Sequence, residues 1–167
     1  MDDEWTNFWA RHDDSFLGRI YTREAPSRDR AVYLSRFTDR VGKAVIGQSD
    51  WVIAGLEQQA YTFRFTLHSQ SADRLHFMIT GSGADQDKKL GISRNGYLGL
   101  YYYADVTDFL KLEALEWQDH GVLGRLRDHL GHQVKATHDP NVATPRFSYL
   151  NVQQGEPLTF FIERVLT

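Results

Sequence analysis

Tyr61-Thr62-Phe63-Arg64-Phe65-Thr66-Leu67-His68 sets Tyr, Phe, Phe and Leu at every second position, with Thr, Arg, Thr and His between them. A period of two sends alternate side chains to opposite faces of an extended chain. The octet therefore reads as a strand with one face on a core and the other in water. Leu75-His76-Phe77-Met78-Ile79 repeats the alternation after a polar Ser-Gln-Ser-Ala-Asp turn. Gly81-Ser82-Gly83-Ala84-Asp85-Gln86-Asp87 reads as loop. Leu90-Gly91-Ile92 and Tyr97-Leu98-Gly99-Leu100-Tyr101 flank Ser93-Arg94-Asn95-Gly96. Asn-Gly between two apolar runs marks a hairpin, because both residues tolerate positive φ.

Only the opening of the chain has a clear helical period. Trp5, Phe8, Trp9 and His12 fall at i, i+3, i+4 and i+7, Asp2 or Asp3 suits the cap, and Glu4 suits the positive end of the dipole. Two tryptophans on so short a helix require a dock, on the body of the domain or on another chain. The second option gives a homodimer through Trp5, Phe8 and Trp9. Val122, Leu123, Leu126 and Leu130 are also helix-spaced, yet Gly121, Gly124 and Gly131 oppose a helix, at about 1 kcal/mol per interior glycine. Strand–turn–strand is the reading adopted there. The organisation expected is a helical segment over residues 1–16 and one β-rich domain over 17–167.

Composition bounds the function. The 167 residues fit one domain, which buries roughly two-thirds of its unfolded surface. Nineteen Lys and Arg against 22 Asp and Glu leave a net charge of −3, which argues against a general nucleic-acid binder. With no cysteine, disulfides, thiolate-ligated zinc, iron–sulfur clusters and cysteine nucleophiles are excluded. No apolar run approaches the 18 residues of a membrane span. Met-Asp-Asp-Glu-Trp is acidic where a secretory signal is basic and then apolar. A cytoplasmic location is expected, with export by a non-classical route left open.

Three segments share a plan. The first runs Val32-Tyr33-Leu34-Ser35-Arg36, Gly42 to Gly47, then Asp50-Trp51-Val52-Ile53-Ala54-Gly55-Leu56. The second runs Leu90-Gly91-Ile92-Ser93-Arg94, Gly96 to Tyr101, then Asp108 to Leu115. The third runs Tyr149-Leu150-Asn151-Val152, Gly155, then Thr159-Phe160-Phe161-Ile162-Glu163. Trp51, Phe109 and Phe160 stand 58 and 51 positions apart. This plan resembles a β-trefoil of the fascin-like and ricin-like kind, implying three units of about fifty residues over 17–167. The QxW triplet of ricin-type lectins is missing, the nearest approach being Gln48-Ser49-Asp50-Trp51, and so are the cysteine pairs of Kunitz-type inhibitors. No sugar or protease site is therefore carried over. A β-sandwich is the alternative architecture.

The richest candidate surface is the strand Tyr97 to Tyr103. Leu98, Leu100 and Tyr102 occupy one phase, and Tyr97, Gly99, Tyr101 and Tyr103 the other. With leucines inward, Tyr97, Tyr101 and Tyr103 share an outer face bordered by Asp105 and Asp108. Such a face fits a protein partner or a carbohydrate. The function expected is a non-enzymatic binding module requiring no cofactor or metal. The alternative is a glycan- or peptide-directed hydrolase using a carboxylate pair, with Glu113 and Glu116, or Asp119 beside His120, as candidates. His129 and His132, with Asp128 nearby, read as solvated surface histidines and not as metal ligands, because histidines three apart diverge on a strand. Gly81 to Asp85 is not a phosphate loop, since a strand follows it and Asp85 and Asp87 repel an anion.

Overall fold

A computed structural model describes residues 15–23, 29–35, 49–56, 58–101, 109–137 and 147–165. The expected N-terminal helix lies outside them, and no α-helix occurs among the described residues. The strands are β1 (Ser15–Arg23), β2 (Arg30–Leu34), β3 (Ser49–Gly55), β4 (Thr62–Gln70), β5 (Leu75–Thr80) and β6 (Lys89–Ile92). They continue as β7 (Leu98–Tyr101), β8 (Leu110–Gln118), β9 (Gly121–Arg127), β10 (Lys135–Thr137), β11 (Phe147–Asn151), β12 (Glu156–Pro157) and β13 (Thr159–Val165).

The alternation read from sequence is the burial observed. In β4, Phe63 and Phe65 are fully buried, Tyr61 and Leu67 pack partly buried against the core, and Arg64 and His68 face water. Leu75, Phe77 and Ile79 of β5 are buried likewise. All pairings are antiparallel, and β3–β2–β1–β13–β9–β8–β5–β6–β7 returns to β3, closing a nine-strand barrel. Closure removes the open edges that a flat sheet of these strands would leave. β4 pairs with both β1 and β5, so β1–β4–β5–β8–β9–β13 forms a second, shorter closed circuit. Inside it Phe16 stacks on Phe65 with centroids 5.0 Å apart, and Phe77 meets both rings edge-on.

Residues 121–127 form strand β9, followed by a turn, as read. Two of the three glycines that opposed a helix are required by close approach: a Cβ on Gly124 would stand 2.5 Å from the Glu113 carbonyl oxygen of β8, and one on Gly121 2.5 Å from the Ile162 carbonyl oxygen of β13, whereas Gly131 has open space and a φ of 94°. One detail of the β6–β7 turn differs from expectation. Gly96 has φ 87°, whereas no non-glycine among the described residues has positive φ, so Asn95 does not use its tolerance. Gly96 N–H donates to Ser93 O and Ser93 N–H to Tyr97 O, which closes a three-residue loop with glycine in the left-handed position. The aromatic spacing also joins unlike places. Trp51 lies in β3, whereas Phe109 precedes β8 and Phe160 lies in β13.

Candidate functional site

Three hairpins, β2–β3, β6–β7 and β10–β11, each set a hydroxyl residue opposite an aromatic, and in two of them the hydroxyl accepts the aromatic's N–H. Ser35 Oγ accepts the Trp51 N–H at 3.2 Å, and Ser93 Oγ accepts the Tyr97 N–H at 3.1 Å. In the third, Thr137 stands directly opposite Tyr149. Each small hydroxyl residue thus faces a large aromatic across its hairpin. β3 also pairs with both β7 and β11, and Tyr97 bridges to Asn151, which draws the three ends together.

The rings meet. Trp51 and Tyr97 have centroids 4.7 Å apart, and Tyr149 lies 5.7 Å from each. All three pairs are edge-to-face, the arrangement that sets a positive ring edge on a negative face. Each of the three residues is partly exposed, and Phe147 extends the patch, 5.3 Å from Tyr149. Trp51 is the cross-strand partner of Gly99.

Asn151 fastens this end. Fully buried, it donates through Nδ2 to Asn95 O at 3.1 Å, and its Oδ1 accepts the N–H groups of Gln153 at 2.6 Å and Gln154 at 3.0 Å. Val152 N–H donates to Gly96 O at 2.9 Å. One amide thereby ties the β6–β7 turn to the turn after β11.

Of the residues nominated from sequence, Leu98 and Leu100 are buried as the inward phase, and Tyr97 and Tyr101 are partly exposed. Tyr97 is a member of the ring cluster, and the Tyr101 hydroxyl donates to its carbonyl at 3.3 Å. Burial pushes the Tyr101 phenol above its ordinary value. Tyr103, Asp105, Asp108, Trp5, Phe8 and Trp9 lie outside the described residues. The reading missed Tyr149 and Phe147 as site residues and placed Trp51 only as a strand opener. The matched doublets Ser35-Arg36 and Ser93-Arg94 were the available signal, since both serines hold the backbone of a cluster aromatic.

Glu113, Asp128 and Asp85 have structural partners, whereas Glu116, Asp119 and His120 are exposed. Glu113 Oε1 accepts from Arg127 Nη2 at 2.7 Å and Nε at 3.0 Å, while Arg125 reaches Oε2 at 3.4 Å and Arg74 stands 3.9 Å away. The Arg127 hydrogen bonds hold this carboxyl below the usual carboxylate range, which leaves it a poor proton donor at neutral pH. Glu116 is exposed beyond a bulge in β8. Asp128 Oδ1 accepts the N–H groups of Leu130 and His132, and its Oδ2 lies 3.0 Å from His132 Nδ1, an arrangement that builds a turn. Asp85, which is buried, accepts from the Tyr61 hydroxyl at 2.8 Å and pairs with Lys88 at 3.4 Å, so the 81–87 loop folds onto its own acid. Among the described residues, no three His, Asp or Glu side chains converge on a metal position. Compared with known proteins, the chain matches no family model, no curated protein and no solved structure.

Proposed function

We propose that this chain is a non-enzymatic binding module of β-trefoil architecture that recognises a protein partner. The trefoil reading is supported by the order of its strands. Hairpins β2–β3, β6–β7 and β10–β11 each fall between two successive members of the six-strand circuit β1–β4–β5–β8–β9–β13. It is supported as well by the hydroxyl residue that faces an aromatic across each of the three hairpins.

The function rests on one observation: Trp51, Tyr97 and Tyr149 converge, partly exposed, from three separate hairpins. Large rigid aromatics with polar edges are the residues that anchor protein interfaces, because burying them costs little side-chain entropy. Their interplanar angles of 67° to 78° suit the relief of a protein better than the flat C–H face of a sugar. Tyr101 continues the surface along β7, and Tyr103, Asp105 and Asp108 follow it in sequence.

The test is affinity capture with the wild-type chain beside a Tyr97→Ser/Tyr149→Ser variant, with a glycan array in parallel. Support is a protein retained by the wild type and lost by the variant, with thermal unfolding unchanged. Retention indifferent to the two substitutions, or binding confined to glycans, overturns the reading.

A further inference from the structure

The outer wall of the barrel carries an apolar row that crosses four strands. Tyr21 of β1 is the cross-strand partner of Phe161 of β13, and Phe161 of Leu123 of β9. Beside Leu123, the bulge of β8 sets Leu115 with 45% of its surface exposed. The first three face outward in strands whose alternate residues Ile20, Phe160 and Val122 are buried. Cations border the row. Arg23 pairs with Thr159 and sets its guanidinium over the Phe161 ring, 5.4 Å from the centroid; Arg125 follows Gly124, the partner of Phe160, and Arg19 faces Glu163 on the other side. Arg23 and Arg125 keep 42% and 35% of their side chains exposed although they contact Asp29 and Glu113.

The chain contains a segment of the complementary kind. Residues 1–14 carry Asp2, Asp3, Glu4, Asp13 and Asp14 against Arg11 alone, a charge of −4. The total of −3 therefore leaves +1 for residues 15–167. The same segment holds Trp5, Phe8 and Trp9 at spacings that share one helical face. It joins the wall at Ser15, where β1 begins. Tyr21 lies roughly 20 Å along β1 from there, at about 3.3 Å per residue. Trp5 and Trp9 stand ten and six residues before Ser15, about 15 and 9 Å as a helix and about 33 and 20 Å extended, so reaching the row requires the residues next to Ser15 to be extended.

We propose that this wall seats the chain's own residues 1–14, with Trp5, Phe8 and Trp9 on the apolar row and the flanking acids against Arg19, Arg23 and Arg125. Burying the tryptophans there shields aromatic surface that water would otherwise meet.

Absence of cysteine makes the test direct. Asn7→Cys in the full-length chain accepts one nitroxide label, and amide signals report its surroundings by NMR. The expected result is that the amides of Tyr21, Leu123 and Phe161 lose most of their intensity while those of Ile92 and Ala136, in strands that do not pair with β1, keep theirs. Trp5→Ser with Trp9→Ser in the labelled chain should restore the lost signals, with unchanged signal dispersion reporting an intact fold. Losses centred on Trp51 and Tyr149, or no localised loss, overturn the proposal. So does loss seen only when isotope-labelled chain is mixed with a separate nitroxide-bearing chain, because that outcome places the segment on a neighbouring copy.

Discussion

Replacing Asn151 by Ala removes three hydrogen bonds from a side chain with no exposed surface. The Nδ2 bond to Asn95 O at 3.1 Å joins two turns far apart in sequence, and Oδ1 satisfies two backbone N–H groups. Each such bond contributes about 1 kcal/mol net, and a donor left shielded from water costs more than that. The expected loss is about 3 kcal/mol. For a chain of 167 residues this corresponds to roughly 6–12 °C in Tm, taking about 2–4 °C per kcal/mol. Urea unfolding followed by circular dichroism should show a lower midpoint at unchanged slope, the signature of lost stability without a changed unfolded state. Gln153→Ala is the control, since it deletes only an exposed 3.3 Å bond to Arg94 O and should stay within about 0.5 kcal/mol. A loss under about 1 kcal/mol for Asn151→Ala would refute the reasoning, for it would mean that water replaces all three bonds and that the turns are not held by this amide. Because Asn151 also bridges to Tyr97, the same variant should loosen the contact between Tyr97 and Tyr149 and weaken partner binding.

The Glu113 cluster gives a pH dependence with a definite sign. Its carboxyl is lowered in the folded chain, so its contribution is fully present above the unfolded value near about 4.3 and is lost as pH falls through the folded value. Glu113→Gln should therefore cost about 1–2 kcal/mol at pH 7, and urea midpoints of the two proteins should converge as pH falls through the lowered folded value. Midpoints that stay equally separated in acid would show that the charge is not responsible. Gly124→Ala should destabilise by more than about 2 kcal/mol, because β8 and β9 must part to admit a Cβ 2.5 Å from Glu113 O. Gly96→Ala should cost about 1–3 kcal/mol from its φ of 87°, compounded by Asn151 Oδ1 at 2.8 Å. Calorimetry of both variants checks the pair, and a neutral result at either position would contradict the close approach described.

Local pattern carried much of this protein. Side chains alternate across a strand whatever surrounds it, so the buried faces of β4, β5 and β7 were legible from Phe63 and Phe65, Leu75 and Phe77, and Leu98 and Leu100. Glycine spacing likewise turned 121–127 toward strand, and Gly96 marked its hairpin. The aromatic site was only half legible. Tyr97 stood out in an obvious run, but Tyr149 lies 52 positions further on, and no local period announces that their rings touch.

Local pattern settled strands such as β4, β5, β7 and β9 and their inward faces, because alternation follows from steric rules acting over two to five residues; β1, β10 and β12 were not read from it. Which strands become neighbours was decided only in the folded chain. The β3–β7 and β3–β11 pairings, the burial of Asn151 and the meeting of Trp51, Tyr97 and Tyr149 depend on closing loops of dozens of residues. That entropy is recovered only when the whole barrel closes, so no single segment records it.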